Sequence, residues 1–182
     1  MKWKIKVVLA AVIVVMVAGV AATWSFAALS KDTRAPDFTA QTVTGKKFAL
    51  EDLRGRAVLL DFFATWCPPC RLEVPELQKL WQTYGDKGLV VIGVALDSGG
   101  SAEIRKFAAD RGLTYWQVSD DAGRIANKYG IRPIPTTYII DPSGVIRYSH
   151  VGFGPGMEKE LAKQIQSVLP KPEQLSRLKP LK

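Results

Sequence analysis

An α/β fold, built as a central mixed sheet with helices on both faces, is the architecture this sequence predicts, and three observations carry the prediction. Residues 57–63 and 89–96 are unbroken runs of Val, Leu, Ile, Phe and Ala, interrupted by one acid and one glycine respectively. That is the pattern of strands buried on both faces, which belong to sheets covered by helices. Helical spacing of apolar residues follows each run. Finally, Asp141-Pro142-Ser143-Gly144 is a strong turn signal between two further strands, which makes that last pair antiparallel and the sheet mixed.

Taken in order, residues 38–42 and 46–50 flank Thr44-Gly45 and predict an N-terminal β-hairpin. Residues 51–53 suit a single helical turn before the first buried strand. From Cys70 to Tyr84, Leu72, Leu77, Leu80, Trp81 and Tyr84 recur at helical spacing against Arg71, Glu76 and Lys79, which predicts an amphipathic helix ending near Gly85 and kinked at Pro75. After the strand at 89–96 come a Ser98-Gly99-Gly100 loop, a helix that starts after Ser101 and stops at Gly112, a short strand at 114–118 and a short helix at 122–129. The strands at 136–140 and 145–151 flank the turn, and a helix at 156–169 closes the domain. Trp81, Trp116 and Phe107 are expected in the core, and His150 at a strand end. Gly152-Phe153-Gly154-Pro155-Gly156 lacks the Lys and Ser/Thr of a phosphate loop and reads as a connection.

At 182 residues and 47% hydrophobic composition the chain supports one globular domain, residues 36–169. Residues 30–35 form a polar spacer, and residues 170–182 a basic, proline-containing, solvated tail. The net charge of +8 is concentrated at the ends: Lys2, Lys4 and Lys6 at one, and Lys171, Arg177, Lys179 and Lys182 against Glu173 at the other. The domain between them is nearly balanced and has no basic stripe interleaved with aromatics, so nucleic acid is not an expected partner.

The stretch from Val7 to Leu29 carries no charge and is long enough to cross a bilayer, for which about 20 residues are needed. With the three lysines before it, the positive-inside bias keeps the N-terminus in the cytoplasm and exports everything from Ser30 onward. Residues 1–29 therefore read as a single-pass anchor in the cytoplasmic membrane, with Trp3 and Trp24 near its ends. A cleaved signal peptide is the alternative, because Ser25-Phe26-Ala27 offers small residues for a cut and would leave a periplasmic or secreted domain. Either reading places the domain outside the cytoplasm.

The chain has two cysteines, three residues apart, in Cys67-Pro68-Pro69-Cys70. They cannot complete a four-cysteine zinc site or a multi-bridge framework, and His150 is the sole histidine. A purely structural bridge over so short a loop would constrain the unfolded chain little. A Cys-x-x-Cys between a buried strand and a helix suits reversible dithiol–disulfide exchange, because the free N–H groups of the helix start stabilise a thiolate. Cys67 is the expected nucleophile and Cys70, one turn further in, the resolving thiol. Trp66 supplies an apolar rim for a partner. No metal and no cofactor is required.

Phe62-Phe63-Ala64-Thr65-Trp66-Cys67-Pro68-Pro69-Cys70, with Glu73, Pro75 and Ile134-Pro135-Thr136-Thr137, resembles the thioredoxin superfamily. More narrowly, it is similar to the anchored TlpA/ResA-like thiol-disulfide oxidoreductases associated with bacterial cytochrome c maturation. The resemblance runs from about Pro36 to Leu169. It implies a thioredoxin-like fold, a redox-active Cys67–Cys70 disulfide, and catalytic roles for Asp61 and Glu73. It also implies a cis-Pro135 opposite the nucleophile and a substrate surface of Trp66, Pro68, Ile134 and Pro135. Many relatives carry an amide where Asp61 stands, so the presence of both acids is a departure. The implied partners are exported protein thiols and disulfides, apocytochrome c among them, and a membrane electron donor.

Three rival functions share such a fold. A thiol peroxidase would resemble Pro-x-x-x-Thr-x-x-Cys, but Leu60 and Ala64 stand at the Pro and Thr positions. Copper or haem chaperones use soft thiolates, usually with wider cysteine spacing and a partnering histidine. A disulfide donor would need a strongly stabilised Cys67 thiolate. Pro68 and Pro69 have no N–H to offer it, so a pKa of about 7 or above and a reducing potential are expected instead.

Overall fold

The computed structural model describes residues 29–178. Every residue of β3 (Ala57–Phe63) and β4 (Leu89–Ala95) is buried, and the two pair in parallel from Ala57↔Leu89 to Phe63↔Ala95. β5 (Trp116–Ser119) extends the sheet in parallel beyond β4. β6 (Thr136–Ile140) lies antiparallel on the other side of β3, and β7 (Ile146–Val151) antiparallel to β6. The order is β5-β4-β3-β6-β7, a mixed five-stranded sheet. β1 (Thr39–Gln41) and β2 (Lys47–Ala49) form the separate antiparallel hairpin, turned at Gly45 with φ 97°.

Among the described residues five α-helices accompany the sheet: α1 (Pro68–Tyr84), α2 (Gly100–Asp110), α3 (Arg124–Lys128), α4 (Met157–Val168) and α5 (Pro172–Leu175). Because alternate strand residues face opposite sides, Leu59, Val91 and Ile139 pack with Leu77 and Leu80 of α1 and Leu161 and Ile165 of α4. Phe63 and Ala95, further along that face, meet Ile104 and Phe107 of α2. Leu60, Phe62, Ile92 and Tyr138 point the other way, onto Phe38, Phe48, the Leu50–Leu53 turn and α3. The expected element order and the antiparallel β6–β7 pair are both present.

Four expectations are corrected. Helix α1 starts at Pro68, two residues before the predicted Cys70, because prolines fit the first helical turn, where no N–H is needed. Leu72, assigned by spacing to the buried stripe, is 66% exposed, and its place on that stripe is taken by Glu73 and Val74. Trp81 and Trp116 are half-buried at the rim of the core, Trp116 beneath the Lys46 ammonium at 3.8 Å from the ring centroid.

The two end segments are also tied down. The spacer at 30–35 pairs with the start of β7 through Asp32 N–H to Ile146 O (2.8 Å), Ile146 N–H to Thr33 O (2.9 Å) and Ala35 N–H to Gly144 O (3.0 Å). Within the segment read as a solvated tail, Pro172–Leu175 form α5, with Pro170 buried and Leu175 and Leu178 half-buried. Among the described residues no helix is long and apolar enough to cross a membrane. The span expected at 7–29 lies, apart from Leu29, outside them.

Candidate active site

Strand β3 delivers the chain to the site and Asp97 fixes the last step. Asp97, buried just past β4, accepts from Thr65 N–H through both carboxylate oxygens (3.0 Å each) and from Thr65 Oγ1 at 2.6 Å. Leu96 N–H donates to Phe63 O (2.9 Å) and Cys67 N–H to Ala64 O (3.2 Å). The loop between strand and helix is thereby held rigid, which is what a positioned nucleophile needs.

Cys67 is the N-cap of α1 and is joined to Cys70 in a disulfide, with 5.3 Å between the Cα atoms. Cys70 N–H donates to Cys67 Sγ at 3.4 Å, while Arg71 N–H is taken by Cys67 O at 3.1 Å. With Pro68 and Pro69 at the next two positions, one backbone donor serves the sulfur. Cys67 retains 4% exposure and Cys70 none. The nucleophile therefore sits in a slit and not on an open rim, because the disulfide packs on Ala64, Val74, Ile104 and Phe107.

Around that slit stand the expected substrate residues. Trp66 and Pro68 are exposed, Ile134 is half-buried and Pro135 is buried. The Ile134–Pro135 bond is cis, and Ile134 O lies 3.9 Å from Cys67 Sγ, a contact and not a hydrogen bond while the sulfur is oxidised. Pro135 O already accepts from Gly152 N–H at 2.8 Å. Trp66 (68%), Leu72 (66%) and Val151 (57%) are the exposed large apolar side chains of the described residues. All three are at this end of the sheet, Val151 through its pairing with Thr136.

Beneath the disulfide lie two buried acids. Glu73 follows Cys70 by three residues on the same face of α1. Its Oε1 accepts from Thr137 Oγ1 at 2.8 Å, and burial, partly offset by that bond, raises its pKa to about 7. Asp61, on β3 and opposite Thr137, is completely buried, and burial together with the facing Glu73 carboxylate pushes it well above the usual range. Asp61, Glu73, Cys67 and Cys70 thus lie around the start of α1 and the adjoining part of β3. His150 is on β7 with its Nε2 2.7 Å from Gln164 Oε1.

Sequence reasoning passed over Gly93, Tyr115 and Gln117, which border the acids. An isolated glycine inside an apolar strand run signals a close approach to its backbone, and Gly93 carried that signal. Nothing local distinguishes Tyr115 or Gln117.

Comparison with known proteins agrees with this geometry. Residues 32–149 match the AhpC/TSA family. The thioredoxin-like protein YneN of Bacillus subtilis is 43% identical over 126 residues, 68% of this chain and 73% of that protein. The thiol-disulfide oxidoreductase ResA of Geobacillus thermodenitrificans is 35% identical over 144 residues, 79% of this chain and 80% of ResA. Among solved structures, a thioredoxin-family thiol:disulfide interchange protein of Chlorobium tepidum superposes with a TM-score of 0.67 at 32% identity, covering 78% of this chain and 99% of that one. A disulfide at a helix start, buried acids below it and relatives of this kind lead to one conclusion: the chain belongs to the AhpC/TSA family, has a thioredoxin-like fold, and is a thiol-disulfide oxidoreductase similar to ResA.

Proposed function

We propose that this oxidoreductase works as a reductant of exported protein disulfides, of the cytochrome c maturation type, with apocytochrome c as a substrate and a membrane dithiol as its electron donor. The observation that carries this reading is the single backbone donor at Cys67 Sγ. A thiolate so sparsely stabilised makes the dithiol the higher-energy form and hence a better electron source. The cycle starts with the dithiol. The Cys67 thiolate attacks a substrate disulfide, a Cys67–substrate S–S bond forms, and the first substrate sulfur leaves as a thiolate. Cys70 then gives its proton to the Asp61–Glu73 pair and attacks Cys67 Sγ. The Cys67–Cys70 bond forms, the second substrate sulfur leaves, and two electrons have passed to the substrate.

Trp66, Leu72 and Val151 suit docking of an apolar protein segment beside the slit, with Pro68, Ile134 and Pro135 lining it. The test is partner trapping. Cys70→Ser accumulates mixed disulfides with exported proteins, and Cys67→Ser abolishes exchange. Equal trapping by both variants removes the role assignment. Equilibration with glutathione decides direction: a Cys67 pKa near ~4 with a potential near about −120 mV makes the protein a disulfide donor.

The membrane tether and extracytoplasmic location belong to the same proposal, supported by the uncharged run from Val7 to Leu29 behind Lys2, Lys4 and Lys6. A tag after Lys182 is expected to be cut by protease added outside the cytoplasmic membrane. Protection of that tag reverses the topology.

A further inference from the structure

One row across the sheet departs from the apolar pattern around it. The register sets Gln117 beside Gly93, Gly93 beside Asp61, and Asp61 beside Thr137. All four lie on the face that α1 covers, since they alternate with residues of the opposite core. The space over Gly93 is taken by its neighbours: a Cβ built there would lie 2.8 Å from Gln117 Oε1, 3.0 Å from Phe63 Cε1 and 3.2 Å from Tyr115 Cε2. Adjacent strands are about 4.8 Å apart. A glutamine two strands from Asp61 reaches toward it only where the strand between them carries no side chain.

Seven buried side-chain oxygens and nitrogens of the described residues have no hydrogen-bond partner, and six of them converge here. They are both carboxylate oxygens of Asp61, Glu73 Oε2, Tyr115 OH, and Oε1 and Nε2 of Gln117. Buried polar atoms are ordinarily paired, so six in one place mark a shared polar pocket. The groups that face the acids are Cys70 on α1, Tyr115 ahead of β5, Gln117 on β5 and Thr137 on β6. Asp61 is raised by burial and then by the Glu73 carboxylate, and Glu73 by burial, partly offset by the Thr137 hydrogen bond. Burial, then the facing Asp61, holds the Tyr115 hydroxyl above the usual phenol range, partly offset by the Gln117 side chain beside it, so it stays protonated and able to donate.

We propose that Tyr115 and Gln117 are positioning residues of the redox site: reaching across Gly93, directly or through one water, they donate hydrogen bonds that hold the Asp61–Glu73 pair ready to accept the Cys70 proton. The inference rests on the reading of those acids as the proton acceptor. In the step concerned the Cys70 S–H bond breaks and a carboxyl O–H bond forms. The electron pair left on Cys70 sulfur makes the bond to Cys67. A hydrogen bond donated to a carboxylate favours the charged form, so losing either donor leaves the acids harder to ionise.

The test uses the full chain carrying Tyr115→Phe, Gln117→Leu or Gly93→Ala. The buried carboxyls of the oxidised protein are titrated by their infrared C=O band, and the pH profile of disulfide exchange is recorded alongside. Tyr115→Phe and Gln117→Leu are expected to raise the carboxyl titration by about 1 pH unit and move the rate profile with it. Gly93→Ala, which displaces the Gln117 amide, should reproduce the Gln117→Leu shift. A role confined to packing would alter unfolding and leave both titrations in place. Unmoved titrations in Tyr115→Phe, which loses one oxygen, together with Gln117→Leu overturn the inference. Absence of exchange in the unsubstituted protein would instead undo the functional reading, while the infrared titration, needing no turnover, still decides whether the pocket exists.

Discussion

Glu73 carries its carboxyl into the buried pocket, and the consequence is measurable without any substrate. Its pKa rises from 4.5 to about 7, chiefly by burial. Between those values the folded chain holds a proton that the unfolded chain has released, so stability must fall as pH rises through that window and level off above it. The contribution is fully present below pH 4.5, and its loss by pH 7 corresponds to about 3 kcal/mol at 1.36 kcal/mol per unit. Asp61 adds to the slope in the same direction, because its pKa is raised as well. Glu73→Gln is expected to flatten the slope and to stabilise the oxidised protein at pH 7, since a neutral amide replaces a buried charge and removes the repulsion on Asp61. Urea unfolding of both proteins across this range checks it, and equal slopes would show that Glu73 ionises as freely in the fold as outside it. That Asp61 and Glu73 belong to the site was legible through the resemblance to the thioredoxin superfamily, which places an acid on the buried strand and another just past the second cysteine. That they share a pocket with Tyr115 and Gln117 was not, because the strand register that aligns Gln117, Gly93 and Asp61 joins residues far apart in the chain.

Helix α1 shows why spacing alone misplaced a residue. At 100° per residue Leu72 lies about 200° from Cys70, whereas Glu73, Val74 and Leu77 fall within about 60° of it. The apolar pattern was read through Leu72 because the true stripe contains an acid, and an acid at a core position is what function, not packing, selects. Two leucines of this helix, Leu77 and Leu72, should therefore behave oppositely. Leu77→Ala removes a fully buried side chain beneath β3 and is expected to cost ~2–5 kcal/mol. Leu72→Ala changes stability by no more than about 0.5 kcal/mol but weakens reaction with protein disulfides, leaving reduction of a small disulfide unchanged. Denaturant midpoints and paired rates with a protein and a small-molecule disulfide separate the two. Equal rates for Leu72→Ala and the parent chain on the protein substrate would take Leu72 out of the docking surface.

At the scale of the molecule, the disulfide and the two ends of the described residues lie at opposite poles of the sheet. Cys67 follows the C-terminal end of β3, and seven residues of strand put about 20 Å between it and the other end. Asp32 and Thr33 bond to Ile146, which pairs with Ile140, which pairs with Val58 near the start of β3. The chain thus enters at the far pole, so a tether ahead of it would present the disulfide away from its attachment. The C-terminal segment returns to the same pole. A Cβ on Gly88, just before β4, would lie 2.6 Å from Pro170 Cγ and 3.1 Å from Leu175 Cδ1, and one on Gly55, just before β3, 2.6 Å from Leu178 Cδ2. Charge and proline content alone had made this segment a solvated tail, since Leu175, Leu178 and Leu181 span too short a stretch to carry a periodic signal until the surface receiving the chain is known. Both glycines have positive φ, 96° at Gly88 and 89° at Gly55, so these turns favour glycine on backbone grounds and leave bare surface for the returning chain to cover. Half-burial of Leu175 and Leu178 is worth about 1 kcal/mol each. Ending the chain at Pro170 is expected to lower stability by about 2 kcal/mol, and a Leu175→Ala, Leu178→Ala double variant to reproduce most of that loss at low and high salt alike, since the contact is apolar. Urea midpoints of the three chains decide it: an unshifted midpoint on truncation returns the segment to solvent, and a loss that vanishes in high salt assigns it to the basic side chains instead.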